Sequence, residues 1–362
     1  MIAIKMVIVG HQKQLQFLQA AREGGRLGHA FIFSGPDETG KKTAALEWLS
    51  GILGVPLSAG TAHPDFLFVA PLFDEKTNPP AGEARRKGGK TAGEITVGQV
   101  REMIRRLSLR PSTGRYKAAV IDEAQLMNSE AQNALLKTLE EPPGEALIVL
   151  IARNSRQLLE TIRSRCQTMQ FGLAGAKELE IMAKELVLKN GNKSSEDVLK
   201  EAVELSFGRP GRLVKFIADP SLIEKRRADA KEFARIAKSD LAEKFIYAAK
   251  VAESENAVET IEIWQYHFRN LLLHSLSKPS ENAGGDSTWV GPTQSAQGML
   301  RGSNPRKEVA AQFAFSKLKG GENGLPTEKI SAILKKIHAL SVTLQTTNAS
   351  PKLAIENFML EL

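Results

Sequence analysis

The chain has 362 residues, 42% of them apolar and 25% charged, with a formal net charge of +8. This length suits two or three domains with a sizeable core, at about 100–200 residues per domain. A single cysteine, Cys166, excludes an intrachain disulfide and a four-cysteine zinc site, and no run approaches the ~18 uncharged apolar residues of a membrane span.

The N-terminal MIAIKMVIVGHQKQ has a short apolar run and lacks a signal-peptide pattern, so a soluble, intracellular protein is expected. The basic excess suits a polyanionic partner or a complex built around one; a solubility charge is the alternative. Along the chain, residues 29–34 form an apolar run ending in a glycine-rich turn, and Lys41 to Leu53 reads as a helix. Residues 65–70 read as a buried strand. Residues 96–108 have helical periodicity, with Val100, Ile104 and Leu107 on one face. Lys117 to Ile121 reads as a strand. Ser129 and Gln132 form a capping-box pattern opening a helix to Glu141, which Pro142-Pro143 stops. Ala146 to Ala152 is a continuous apolar strand. Apolar strands alternating with helices predict a mostly parallel sheet covered on both faces.

Residues 73–93 are rich in Gly, Pro, Lys and Arg, with Arg85, Arg86, Lys87 and Lys90 making the segment basic. A solvated insertion is the preferred reading, and contact with nucleic acid the alternative. After Phe171 only helical stretches remain: 176–189, 195–206, 212–218, 222–253, 257–276 and 328–346. Residues 277–303 have the composition of a loosely held loop, followed by a short helix over 306–318. A last helix over 350–362 has Ser350 as cap and Pro351 at its first position.

The chemistry concentrates after the 29–34 strand. Gly35-Pro-Asp-Glu-Thr-Gly40-Lys41 follows a strand and opens a helix, the context a phosphate-binding loop requires. Its glycines let backbone N–H groups face phosphate oxygens, and Lys41 reaches the terminal phosphates. The pattern normally continues with Ser or Thr, whose hydroxyl binds magnesium. Here that position is Lys42, and Thr43, one residue later, is rotated by about 100°. Asp122 and Glu123 end the 117–121 strand, where an acidic pair can hold magnesium and polarise water; alone, they read equally as acids of a turn. Cys166 reads as a packing residue and His63 as a structural one. Trp264, Tyr266 and Phe268 read as helix core or interface before base-stacking platform.

These segments occur in an order that resembles the clamp-loader AAA+ family. It is carried by Gly35–Thr43, His63-Pro64-Asp65, Val120 to Gln125, Asn133 to Pro143 with its Leu-Lys-Thr-Leu-Glu-Glu-Pro-Pro run, and Thr161-Ile-Arg-Ser-Arg-Cys166. The His-Pro-Asp element and Gly208-Arg-Pro-Gly-Arg212 are similar to its bacterial delta-prime branch, and residues 348–357 to the end of its oligomerisation collar. The resemblance implies an α/β P-loop domain with an AAA+/RecA-like parallel sheet (1–172), a small helical lid (173–220) and an all-α collar (221–362). Carried over, Gly35, Gly40, Lys41, Lys42, Thr43, Asn154 (first sensor) and Arg212 (second sensor, in the lid) fall at nucleotide-binding positions. Asp122 and Glu123 match the metal-binding and water-activating acids, and Arg165 the arginine finger offered to a neighbouring subunit.

The implied function is a subunit of the DNA polymerase III clamp loader, in the cytoplasm at replication forks, helping load the sliding clamp onto primed DNA. Its implied partners are motor and delta subunits. Polymerase activity belongs to the complex. With Lys42 in place of a hydroxyl residue, the chain is expected to be a weak or inactive ATPase; a competent motor subunit is the alternative, and an unrelated P-loop enzyme a more distant one. ATP with magnesium is the cofactor left open. No zinc is expected, because residues 44–62, where many relatives carry a four-cysteine module, contain no cysteine.

Overall fold

The computed structural model describes residues 9–24, 27–72, 93–190, 195–237, 239–254, 257–277, 327–346 and 350–362. The expected basic insertion (73–93, but for Gly93), the 277–303 loop (but for Ser277) and the short helix over 306–318 lie outside them. The described chain divides between Ile223 and Glu224 into two compact units.

The first unit is built on a five-stranded sheet of β1 (Ala30–Ser34), β2 (Phe66–Val69), β3 (Lys117–Ile121), β4 (Ala146–Ala152) and β5 (Gln167–Gln170), in the order β2-β3-β4-β1-β5. Every pairing is parallel, with Ser34 opposite both Ala152 and Gln170. Strands β1, β3 and β4 are buried at every position, which explains their unbroken apolar sequences. Successive side chains alternate between two cores. Ile32, Ile121, Ile148 and Leu150 face one, with α3 (Val97–Leu107) and α4 (Ser129–Glu140). Phe31, Phe33, Val120 and Val149 face the other, with α1 (Gln12–Glu23) and α2 (Lys41–Leu53). Each fully buried side chain of this kind contributes about 1.5–3 kcal/mol.

Local signals set several boundaries. Thr96 and Gln99 form a complete capping box at the start of α3. At α4 the expected box is corrected: Asn128 is the cap, accepting from the Ala131 N–H at 2.8 Å. Gln132 instead donates to Met127 O (3.1 Å) and accepts from Leu159 N (2.9 Å), tying α4 to the segment that leads to α5 (Glu160–Arg163). Beyond β5, α6 (Ala176–Asn190), α7 (Glu196–Leu205) and α8 (Pro210–Ala218) pack on one another within the first unit.

The second unit is helical. The single helix expected over 222–253 is two, α9 (Ser221–Ile236) and α10 (Leu241–Glu253). Asp240 breaks it, its carboxylate accepting from the Glu243 N–H at 2.9 Å. Helices α11 (Ala257–Ser277), α12 (Thr327–Thr346) and α13 (Pro351–Leu360) follow; Ser350 precedes α13 without a side-chain cap bond, contrary to expectation. Trp264 is fully buried between the rings of Phe233 (4.6 Å) and Phe358 (5.6 Å), and Phe268 is 2% exposed. These two side chains are core, not a base-stacking platform. No helix among the described residues is long and apolar enough to cross a membrane.

Candidate functional site

In a parallel sheet the C-terminal strand ends share one edge, where α/β folds assemble ligand sites. Here that edge carries the 35–41 loop after β1, Asp122 and Glu123 after β3, and Asn154 after β4. The loop is fastened to the sheet by Gly35 N–H to Ala152 O (3.2 Å), and Ser34 Oγ accepts from the Ser155 N–H (2.9 Å). Only glycine fits at 35, because a Cβ there would lie 2.0 Å from Phe171 O. Gly40, with φ 93°, caps α2. Below the loop, buried His11 bonds Thr39 O through Nε2 at 2.8 Å. Burial is the main cause that holds the His11 pKa below its ordinary value.

Three of the expected phosphate-site cations are committed inside the chain. Lys41 is buried and turned back, its Nζ donating to Gly35 O and Pro36 O, each at 2.5 Å. Burial lowers its pKa to about 8, against the opposing charges of Asp37 and Asp122. Lys42 Nζ pairs with Asp122 Oδ2 at 2.7 Å and sits 5.1 Å from the Phe68 ring centroid. Arg212, near the start of α8, pairs through Nε with Glu38 Oε2 at 3.0 Å. Thr43 lies one residue further along α2, half-buried. Glu123 adopts a left-handed backbone (φ 50°) at the start of a 3-10 turn. Asn154 Oδ1 is used locally, accepting from the Arg156 N–H at 3.0 Å.

A magnesium–nucleotide would have to displace internal contacts in this arrangement. The carboxylate that would hold the metal is ion-paired with an ammonium, and the loop lysine faces the loop's own carbonyls. Among the described residues no cluster of three or more His, Cys, Asp or Glu side chains could hold a metal.

Arg165 sits elsewhere. It precedes β5 by two residues, and β5 runs parallel to β1 with Gln167 opposite Phe31. Arg165 is therefore at the N-terminal edge of the sheet, about 20 Å from the phosphate loop at 3.3 Å per residue. Its guanidinium bonds Glu140 Oε1 (2.6 Å), Thr161 O (2.9 Å) and Ser164 Oγ (3.3 Å), and its side chain is 34% exposed. The neighbouring Cys166 is packed against the core, and burial raises its pKa to about 12.

Two roles had no signal in the sequence reading. Glu38, within the loop, is the acid that engages Arg212. Asp65, 1% exposed, accepts from Ser112 N (2.7 Å), Thr113 N (2.8 Å) and Thr113 Oγ (2.7 Å), and lies 3.5 Å from Lys117 Nζ. Burial alone would raise its pKa; these donors outweigh it and bring the value down to about 2. His63 Nδ1 accepts from the Asp65 N–H at 3.1 Å, a structural role.

Residues 10–174 match the family described as DNA polymerase III, delta subunit. This match takes in a little under half of the chain. It is 29% identical over 252 residues to the DNA polymerase III subunit delta' of Pseudomonas aeruginosa, covering 65% of this chain and 68% of that protein. It is 34% identical over 157 residues to the delta' subunit of Escherichia coli, covering 43% and 40%. It is also 26% identical over 299 residues to the tau subunit of Bacillus subtilis, covering 74% of this chain and 49% of that protein. The chain thus spans about two thirds of the first relative and less than half of the other two.

Proposed function

We propose that this chain is a delta-prime-type subunit of a replicative clamp loader. It assembles with motor and delta subunits, helps load the sliding clamp onto primed DNA, and supplies Arg165 to a nucleotide bound by a neighbouring subunit. The observation that carries this is the position of Arg165. At the sheet edge opposite the phosphate loop, it is too far to serve its own loop, so a phosphate it contacts belongs to another chain. Its ion pair with Glu140 is partly exposed, a type worth about 0–1 kcal/mol, so exchanging the carboxylate for a phosphate costs little. A guanidinium there neutralises charge developing on the transferred phosphoryl group, and its planar fork can bind two oxygens.

The chain's own hydrolysis is weak or absent in this account. Lys42 replaces a magnesium-binding hydroxyl and occupies Asp122, and phosphoryl transfer depends on metal and electrostatic positioning. The intact Lys41, Asp122 and Glu123 favour the competing reading, an ATP-hydrolysing motor of the same machine. In that reading Asp122 must exchange Lys42 for a metal.

The proposed domains are a nucleotide-binding-type domain (1–172), a lid (173–220) that includes α6 to α8, and a collar (221–362) for association with other subunits. The proposed location is the cytoplasm, at replication forks. Reconstitution with motor and delta subunits tests the reading. Omitting this chain should abolish clamp loading on primed DNA, and restoring it should recover loading. Clamp loading at the full rate without it would reject the assignment.

A further inference from the structure

The link between the phosphate loop and α8 is denser than a lone ion pair. Glu38 has a left-handed backbone (φ 61°), which presents its carbonyl and carboxylate to the start of α8. Its carbonyl accepts from the Gly211 N–H at 2.8 Å; its carboxylate takes Arg212 Nε at 3.0 Å and Lys215 Nζ at 2.6 Å. The approach is close enough that a Cβ at Gly211 would lie 3.0 Å from Glu38 O. The Arg212 side chain is 6% exposed and its guanidinium lies 5.8 Å from the Phe207 ring centroid. A buried guanidinium needs a counter-charge, because desolvating it alone costs several kcal/mol. Burial by itself would raise the Glu38 pKa, but Lys215 and Arg212 hold it below the usual carboxylate value.

Arg212 is the residue at the lid position where the family resemblance implies contact with nucleotide phosphate. Its anion here is a carboxylate of the same chain, located inside the phosphate loop. We infer that Glu38 is a positioning residue that takes the place of a nucleotide phosphate as counter-ion of Arg212, so that α8 is held against the phosphate loop without nucleotide. This deepens the proposed function, resting on its reading of Arg212 as a lid residue. The internal partners of Lys41 and Lys42 act in the same direction, since both ammonium groups are already bonded within the chain.

The test is amide hydrogen exchange of α8 in the full-length chain, with and without millimolar ATPγS, for wild type, Glu38→Gln and Glu38→Asp. Wild-type α8 should be protected equally in both conditions. Glu38→Gln keeps the side chain's size and removes its charge. Without nucleotide its α8 should exchange about tenfold faster, and ATPγS should restore protection by giving Arg212 a phosphate. Glu38→Asp should retain most of the protection, which separates loss of charge from a general folding defect.

The inference fails if ATPγS slows exchange of α8 in wild type, because lid closure would then depend on nucleotide. It fails if Glu38→Gln leaves α8 unchanged. It also fails if protection is lost and ATPγS does not restore it, since Glu38 would then be a structural brace only. These readouts need no partner subunit. A chain that passes them but does not assemble with motor and delta subunits contradicts the proposed function and leaves the role of Glu38 standing.

Discussion

The two edges of the sheet carry opposite electrostatic designs. At the C-terminal edge Lys41, Lys42 and Arg212 are each bonded within the chain, to loop carbonyls, Asp122 and Glu38. At the N-terminal edge Arg165 is held at the surface by a partly exposed pair with Glu140. The contrast separates two properties that a nucleotide-hydrolysing fold usually combines. At one edge the cations of a phosphate-loop pattern are bonded to groups of the same chain; at the other a cation stands at the surface, where the proposed function has another chain use it.

The largest expected effect lies at the outward-facing edge. Arg165→Ala should leave assembly intact and lower the DNA-stimulated ATPase of the complex steeply, because arginine fingers contribute about 10³–10⁵ in rate. Arg165→Lys should recover little of it. Full activity in the alanine complex would make Arg165 a local structural residue.

Next in size is Asp65, which fixes the 112–113 turn by the N-terminal edge. Its folded pKa of about 2 lies below its ordinary 3.8, so its stabilisation is complete above about pH 4 and fades as pH falls towards 2. The shift corresponds to about 2 kcal/mol, and Asp65→Asn should lose a similar amount in urea unfolding near neutral pH. If wild type and variant unfold at the same urea concentration at pH 7, Asp65 does not stabilise that turn.

Much of this architecture was legible in the sequence, for identifiable reasons. Strands β1, β3 and β4 are buried throughout, so their apolar runs stood out. The Thr161–Cys166 segment reads as a helix-to-strand connection, but β5 itself has no apolar run to bound it, because Gln167, Thr168 and Gln170 are exposed on the sheet's outer strand and only Met169 is buried. The α4 cap was displaced by one residue, since Asn128 and Ser129 are both good caps. The break between α9 and α10 rested on Asp240 alone, within a continuous helical pattern.

The loop, its acids and Arg165 were identified by motif and context, and the sheet places Lys41, Asp122 and Asn154 at one edge. The pairing of Glu38 with Arg212 joins positions 174 residues apart and depends on a left-handed backbone, which no local pattern signals.

A smaller effect is expected from Lys42→Ser. The Lys42–Asp122 pair is partly exposed, so stability should change by no more than about 1 kcal/mol. Removing the ammonium frees Asp122 and adds a hydroxyl where a magnesium ligand is usual. Nucleotide binding, followed by fluorescence of a labelled ATP analogue, should then become stronger with magnesium. Wild type showing the same magnesium dependence would mean that Lys42 does not occupy the acid.

The smallest effect belongs to Lys41, and it tests the division between the two edges most directly. The measurement is the DNA-stimulated ATPase of the reconstituted complex in which only this chain carries Lys41→Ala, with assembly verified. The account predicts a rate within about twofold of wild type, because this chain's phosphate loop takes no part in turnover. A fall as steep as that expected for Arg165→Ala would show that the loop works as a nucleotide site, and would contradict the account.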